Sequence, residues 1–323
     1  MHTGRIHSLE TFGTLDGPGI RFVLFMQGCA LQCRYCHNPD SWDTAAGQPR
    51  TVEEVLAEIE PYVDYYKSSG GGITVTGGEP TLQAPFVAEL FRECKRRWGL
   101  HTALDSSGFC DPHHAEALLE ATDLVLLDLK YMDSEGHRKL TTQPNERILT
   151  FACHLSRMGI PMWIRRVLVP GLTDNAADLM KLGRFISGLR TVEKVEVLPY
   201  HRMGVFKWQQ LGRPYSLEGY REPDAKEVDR AVKWIEQGRR EGAAEQGRRE
   251  GTAAEQGRRS REAADQGRQD GTAAANGGMA ETVRGAAGPE DVGSAGRPCK
   301  QSFDGRTAPA PGQELRCAGG SGV

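Results

Sequence analysis

Short runs of Val, Ile and Leu alternate with helical patterns along the first 236 residues, each run bounded by Gly, Pro or Asp. Six of these runs read as strands, at 20–26, 73–76, 101–105, 124–127, 162–169 and 194–198. Most are apolar throughout, as strands buried on both faces are. Between them the spacing predicts a helix opened by Thr51, with Glu54 three residues on as a capping box, and further helices over 85–97, 115–121, 146–158, 176–189 and 224–236. Six β/α units in one chain imply a parallel sheet with right-handed crossovers. Periodicity alone does not separate an open doubly wound sheet from a partial barrel. The polar residues do. Gly77-Gly78-Glu79 follows the second strand, Asp105-Ser106-Ser107-Gly108 ends the third, Asp128-Leu129-Lys130 ends the fourth, and Tyr200-His201 follows the sixth. Polar groups at the carboxyl ends of successive strands mark a barrel-type site. An open sheet would instead carry a glycine fingerprint after its first strand, where this chain has cysteines. The expected fold is α/β, a partial (β/α)6 TIM-type barrel.

The pattern changes near Glu236. Glu236-Gln237-Gly238-Arg239-Arg240 recurs at Glu245–Arg249 and Glu255–Arg259, then more loosely from Asp265. A spacing of nine or ten residues is too short for a helical solenoid repeat. The large apolar residues from Gln237 onward are only Met279, Val283, Val292, Phe303, Leu315 and Val323, too few to offset chain entropy. The expected organisation is a folded domain over 1–236 and a low-complexity, repeat-containing disordered tail over 237–323. The tail holds 13 Lys and Arg against 12 Asp and Glu, which makes it a polyampholyte and not a basic arm.

A formal net charge of −3 over 323 residues gives no electrostatic reason to expect nucleic acid or an anionic membrane as partner. The N-terminus lacks the layout of a signal peptide, and no apolar run is long enough to span a bilayer. A cytoplasmic location is the expectation. In a reducing compartment, clustered cysteines read as metal-binding or catalytic. Of the eight, Cys29, Cys33 and Cys36 are clustered; Cys94, Cys110, Cys153, Cys299 and Cys317 are scattered.

The cluster is spaced Cys-x3-Cys-x2-Cys and lies just after a strand, so one loop can wrap three soft ligands around one centre. Thiolates select zinc, Cu(I) or iron–sulfur clusters. Three thiolates on a four-iron cube leave one iron open to a ligand. Two rivals share the residues. Cys33-Arg34-Tyr35-Cys36-His37 matches the haem attachment pattern, whose chemistry belongs outside the cytosol. A closed zinc site of the three cysteines and His37 would make the chain a zinc-stabilised binding module, leaving the polar strand ends unexplained.

Cys-x3-Cys-x2-Cys with an aromatic before the last cysteine resembles the radical S-adenosylmethionine superfamily. More narrowly, Gly4–Ser8, Asp16-Gly17-Pro18-Gly19-Ile20-Arg21, Tyr35-Cys36-His37-Asn38 and Leu198-Pro199-Tyr200-His201 resemble the pyruvate formate-lyase-activating enzymes, collinearly from about Gly4 to Glu236. The resemblance implies a six-stranded partial barrel in which Cys29, Cys33 and Cys36 bind a [4Fe-4S] cluster. Tyr35 and His37 would lie on the adenine side of S-adenosylmethionine, and Gly77, Gly78 and Glu79 would receive its amino group. Asp128, Leu129, Lys130, Arg165 and His201 would contact the cofactor; Arg166 stands where the family has an aromatic. Asp105, Ser106 and the Leu126 carbonyl align with ligands of a monovalent cation. The Asp16–Gly19 loop would lie near the entry of the partner's glycine-bearing loop. The implied activity is oxidoreductase chemistry of anaerobic metabolism, generating a glycyl radical on pyruvate formate-lyase. No catalytic acid–base or nucleophile pair is needed beyond cluster and cofactor. A flavodoxin- or ferredoxin-type reductant and a monomeric state are expected. An activase of another glycyl radical enzyme is the alternative, although no cysteine between Cys36 and Gly77 suggests the second-cluster insert many of those carry.

Overall fold

A computed structural model of the chain describes residues 2–274. Its first unit, which holds the residues up to Glu245, is organised by one eight-stranded sheet in the order β3-β1-β2-β4-β5-β6-β7-β8. The parallel part comprises β2 (Arg21–Met26), β4 (Gly72–Gly77), β5 (His101–Ser106), β6 (Leu124–Asp128), β7 (Met162–Leu168) and β8 (Val192–Pro199). These are the six expected strands. The sheet does not close on itself, as a partial barrel requires. Two antiparallel strands at its edge, β1 (Thr3–Gly13) and β3 (Gln48–Thr51), escape the sequence pattern. β1 is mostly polar, burying only Gly4, Ile6 and Gly13, and β3 is four residues long with Pro49 inside it, which only an edge strand tolerates.

The helices are α1 (Val52–Ile59), α2 (Val63–Ser68), α3 (Ala84–Trp98), α4 (Glu116–Leu119), α5 (Ser134–Thr141), α6 (Glu146–Met158), α7 (Ala176–Ser187), α8 (Val205–Gln210) and α9 (Ala225–Ala274). α1 opens with the expected capping box: the Thr51 hydroxyl accepts from the Glu54 amide at 3.3 Å, and the Glu54 carboxylate accepts from the Thr51 amide at 2.7 Å. The main core lies between one face of the sheet and this helix layer. It takes Phe22, Leu24, Ile73, Val75, Leu104, Leu127 and Ile164 from the strands and Val87, Leu90, Phe91 and Phe151 from the helices, all fully buried. Side chains alternate along a strand, so the intervening residues face the inside of the barrel. Near the amino ends that inner face is apolar, with Ala103, Leu124 and Leu126 packed together beside Trp163. Toward the carboxyl ends it carries Thr76, Asp105, Asp128 and Arg165.

The packed chain does not stop at Glu236. A side chain at Gly183 would collide with the Ile235 carbonyl, one at Gly238 with the Met180 carbonyl, and one at Gly242 with Ser187. α7 and α9 therefore approach at a distance only glycine permits, and Arg184 pairs with Glu241 at 2.8 Å across the contact. From Gln246 a second unit begins. The repeat segment, read from the sequence as disordered from Gln237, is helical as far as Ala274. Each repeat sets Glu four residues ahead of Arg, the favourable order on a helix, and Glu255 pairs with Arg259 at 2.6 Å. The remainder of the tail, 275–323, lies outside the described residues. No helix among the described residues is long and apolar enough to cross a membrane.

Candidate active site

The three clustered cysteines sit in the loop that leaves the carboxyl end of β2. Its backbone is fixed at several points. Gly28 N donates to the Ser41 carbonyl at 2.7 Å and Cys29 N to that of Trp42 at 3.3 Å. Gln32 N and Arg34 N donate to Thr141 and Leu140, at 2.9 and 3.0 Å, and Trp208 Nε1 donates to the Cys36 carbonyl at 2.9 Å. A small second core surrounds the loop, with Leu31, Cys33 and Tyr35 packed against Leu140, Val169, Tyr200 and Leu217. Burial pushes the Cys33 thiol up to about 12, Lys130 pulling against it, and it raises Cys29 and Cys36 as well. Such thiols are not free nucleophiles; their thiolate forms need a metal charge beside them. Among the described residues no three His, Cys, Asp or Glu side chains converge on one ion-sized position. Three thiol donors on one largely buried loop suit an iron–sulfur group.

Around the thiols stand the other expected residues. The His37 and His201 rings stack with centroids 4.1 Å apart, and His37 Nε2 donates to the His201 carbonyl at 3.1 Å. Burial, then His201, lowers the His37 pKa, which favours the neutral ring. Two buried polar atoms, Tyr35 Oη and His201 Nδ1, have no partner among the described residues, so the two segments offer unused hydrogen-bonding capacity to a ligand. Lys130 is buried, with Nζ 2.6 Å from Asp128 and 5.9 Å from the Tyr35 ring centroid. Burial opposes its charge, but Asp128, Tyr35 and Cys33 hold its pKa well above the ordinary value.

Gly77 and Gly78 have a use beyond ligand approach. Gly77 has φ of 108°, and a side chain at either position would strike backbone, at Met26 or at Gly28. The turn after β4 thus crosses directly under the cysteine loop, with Glu79 N donating to the Gly28 carbonyl at 2.7 Å. The Glu79 carboxylate is 1% exposed and already accepts from Thr81 Oγ1 and Ser106 Oγ, both at 2.7 Å, from Ser107 N at 2.9 Å, and from Ser107 Oγ. It braces the ends of β4 and β5. The Ser106 hydroxyl is spent on Glu79 and Gly108 N, whereas the Asp105 carboxylate turns to Thr76 Oγ1 (2.9 Å) and Arg165 (3.4 Å). The Asp105 carboxylate and the Ser106 hydroxyl thus engage different partners. Leu126, whose carbonyl completed that expectation, pairs along β6 with Asp105 and Trp163.

The contacts made by the remaining inner-face residues carried no local signal. Arg165 bonds Glu196 Oε2 at 3.1 Å and also donates to the Leu15 carbonyl. Arg21 is fully buried; its Nε donates to Thr74 Oγ1 at 2.8 Å, and Thr74 in turn donates to the Asp16 carbonyl at 2.6 Å. The Asp16–Gly19 loop is thereby tied to the inner face. Burial raises the Asp16 pKa against the pull of Arg165 and Arg21. Burial likewise lifts Asp105 to about 6, with Arg165 opposing and Asp128 adding to the rise. Arg21 stood out in the sequence only within the Asp16–Arg21 motif.

A thiol-bearing loop on the first parallel strand of an unclosed β/α sheet suits a radical S-adenosylmethionine protein, and the family model described as Radical SAM superfamily matches residues 23–183. The chain is 50% identical over 242 residues to the "Pyruvate formate-lyase-activating enzyme" of Staphylococcus epidermidis, covering 73% of this chain and 96% of that one. The figures for the same-named protein of Staphylococcus aureus are identical. The chain belongs to the family of pyruvate formate-lyase-activating enzymes. Among solved structures, a radical SAM methyltransferase from Sphaerobacter thermophilus shares the fold, with a TM-score of 0.51 at 15% identity over 72% of this chain and 74% of that one.

Proposed function

We propose that this protein activates pyruvate formate-lyase by generating a glycyl radical on it. The observation that carries the reading is the buried three-cysteine loop at the carboxyl end of β2, in a chain half identical to activating enzymes over nearly their whole length. When bound, a reduced [4Fe-4S] cluster supplies one electron for cleavage of S-adenosylmethionine to methionine and a 5′-deoxyadenosyl radical, which takes a hydrogen atom from the substrate glycine.

This chain's residues bind, orient and exclude water. Cys29, Cys33 and Cys36 would hold three irons, and the apolar packing of Leu31, Tyr200 and Leu217 keeps the loop dry. Tyr35, His37 and His201 would lie along the adenine, their free Oη and Nδ1 available to it. The backbone of Gly77 and Gly78 and the Glu79 turn would face the methionine amino group. Asp128, Leu129 and Lys130 would take the carboxylate and ribose, with Arg165 on the inner face beside them. A monovalent cation near Asp105, Ser106 and the Leu126 carbonyl would need the Ser106 hydroxyl to leave Glu79. The working domain is residues 1–236, helped by the continuation of α9 to Glu245; the repeats are accessory. A flavodoxin- or ferredoxin-type protein would supply the electron, in a monomeric, cytoplasmic enzyme working under anaerobic conditions.

Anaerobic reconstitution, reduction and addition of S-adenosylmethionine with pyruvate formate-lyase test the reading. The expected results are about four irons per chain, accumulation of methionine and 5′-deoxyadenosine, and a glycyl doublet by electron paramagnetic resonance. Deuterium at the target glycine Cα should pass to 5′-deoxyadenosine. Cofactor cleavage with no doublet and no transfer would mean that another glycyl radical enzyme is the partner.

A further inference from the structure

Beside the site lies a buried ion pair that none of the roles above uses. Arg166, on β7, is fully buried, and its Nη2 is 2.8 Å from Asp178 Oδ2 in the first turn of α7. Nη2 also donates to the Thr173 carbonyl at 3.1 Å, Nη1 donates to that of Leu129 at 3.3 Å, and the guanidinium lies 5.1 Å from the Tyr131 ring centroid. The Asp178 carboxylate accepts in addition from the amides of Met132 and Asp133, at 3.0 and 3.1 Å. The pair therefore grips the backbone of 129–133 from both its carbonyl and its amide side. Breaking a buried pair strands an uncompensated charge, so the grip is stiff.

Two short paths run from this grip to the thiols. Upstream lies Lys130, the buried cation whose field reaches Cys33. Downstream, Asp133 caps α5 through the Gly136 amide at 2.8 Å. The last carbonyls of a helix have no partner within it. On α5 those of Leu140 and Thr141 are taken by Arg34 N and Gln32 N of the cysteine loop. The loop thus hangs on the end of a helix whose beginning is held by Asp178.

We propose that Arg166 and Asp178 are a positioning pair for the cofactor site, setting Lys130 directly and the cysteine loop by way of α5. This rests on the assignment of that loop to a cluster and of Lys130 to S-adenosylmethionine. Neither residue is catalytic; each acts through backbone it holds. Partners of this kind, one shell away from a ligand, typically change affinity about 10- to 100-fold when lost.

The test uses the full chain, reconstituted anaerobically, with Asp178→Asn and the milder Asp133→Ala, which uncaps α5 at an exposed position. Two quantities are read: the dissociation constant for S-adenosylmethionine, from its perturbation of the reduced cluster's paramagnetic spectrum, and amide hydrogen exchange along the chain. The proposal expects unchanged iron content, at least fivefold weaker binding in Asp178→Asn, and faster exchange confined to 30–36 and 129–141 in both variants. Binding less than fivefold weaker, or exchange that rises throughout the chain, would overturn it and leave the pair a tie between β7 and α7. If Asp178→Asn does not fold, Asp133→Ala decides: selective loosening of 30–36 sustains the proposal and its absence ends it. Failure of the parent protein to bind iron or cofactor would sink the functional reading instead.

Discussion

The two faces of the same strands are built on different principles. On the outer face Ile73, Val75, Leu104, Leu127 and Ile164 join one aliphatic layer, in which a neighbour can partly fill a lost volume. On the inner face Thr76, Asp105, Arg165 and Glu196 are satisfied one by one, by a named partner at hydrogen-bond distance. There a single change leaves an orphan, and no neighbour can make up for it. The outer face makes a barrel; the inner face and the strand ends make this one an enzyme.

The comparison breaks hardest at the thiols. Replacing Cys29, Cys33 or Cys36 with Ala should abolish S-adenosylmethionine cleavage and leave iron-depleted protein that still melts cooperatively, as calorimetry and iron analysis would show. Replacing Cys94, which is buried in the main core, should leave the cluster in place. Next in size, Leu104→Ala on the outer face should cost about 2–5 kcal/mol of stability in denaturant titration. Cofactor cleavage per folded molecule should not change; a matching loss of cleavage would erase the distinction between the faces.

A pH experiment sharpens the inner side. Burial lifts the Asp105 carboxyl to about 6 in the folded chain, against about 3.9 when unfolded. The folded state therefore holds a proton that the unfolded state has lost, and stability falls as pH rises through that window. Asn has no such proton. The melting temperature of Asp105→Asn minus that of the parent should climb between about pH 4 and pH 6 and level off above; a flat difference would contradict the burial of this charge. Smaller still, Tyr200→Phe removes a 2.7 Å hydrogen bond to the Tyr215 hydroxyl and should cost about 1 kcal/mol. The least effect is expected from truncation after Glu245, which should leave thermal stability and activation rate unchanged. Truncation after Gly238 should lower the melting point measurably, because it discards Glu241 and Gly242 from the α7 contact.

The outer face was legible in the sequence because apolar periodicity is a local property, and β2 and β4 through β8 fall within a few residues of where it puts them. α5 was not, because Ser134–Thr141 carries a single large apolar residue, Leu140, and its register is set by Asp178 from another helix. The thiols were legible because one loop must supply all three. Lys130 and His201 drew notice by their position at strand ends. Glu196 and Thr76 were missed because their partners lie across strands, at separations that leave no pattern in the chain; Arg166, noted only where the family has an aromatic, has its partner Asp178 on a helix. Glu79 is the converse case: its motif was plain, whereas the donors to its carboxylate, Thr81, Ser106 and Ser107, left no pattern.

The glycine contact between α7 and α9 bears on how such a tail could arise. In Glu236–Arg240 the central glycine is sterically required, since Gly238 admits no side chain against Met180. The later copies repeat the letters of that contact, but its counterpart on α7 exists once. Duplication of a helix's last turns would produce this arrangement: an ancestral unit fixed by fit, followed by descendants whose number can drift so long as they remain helical and soluble. Copy number at this terminus is then expected to vary between close relatives far more than any residue of the first unit does.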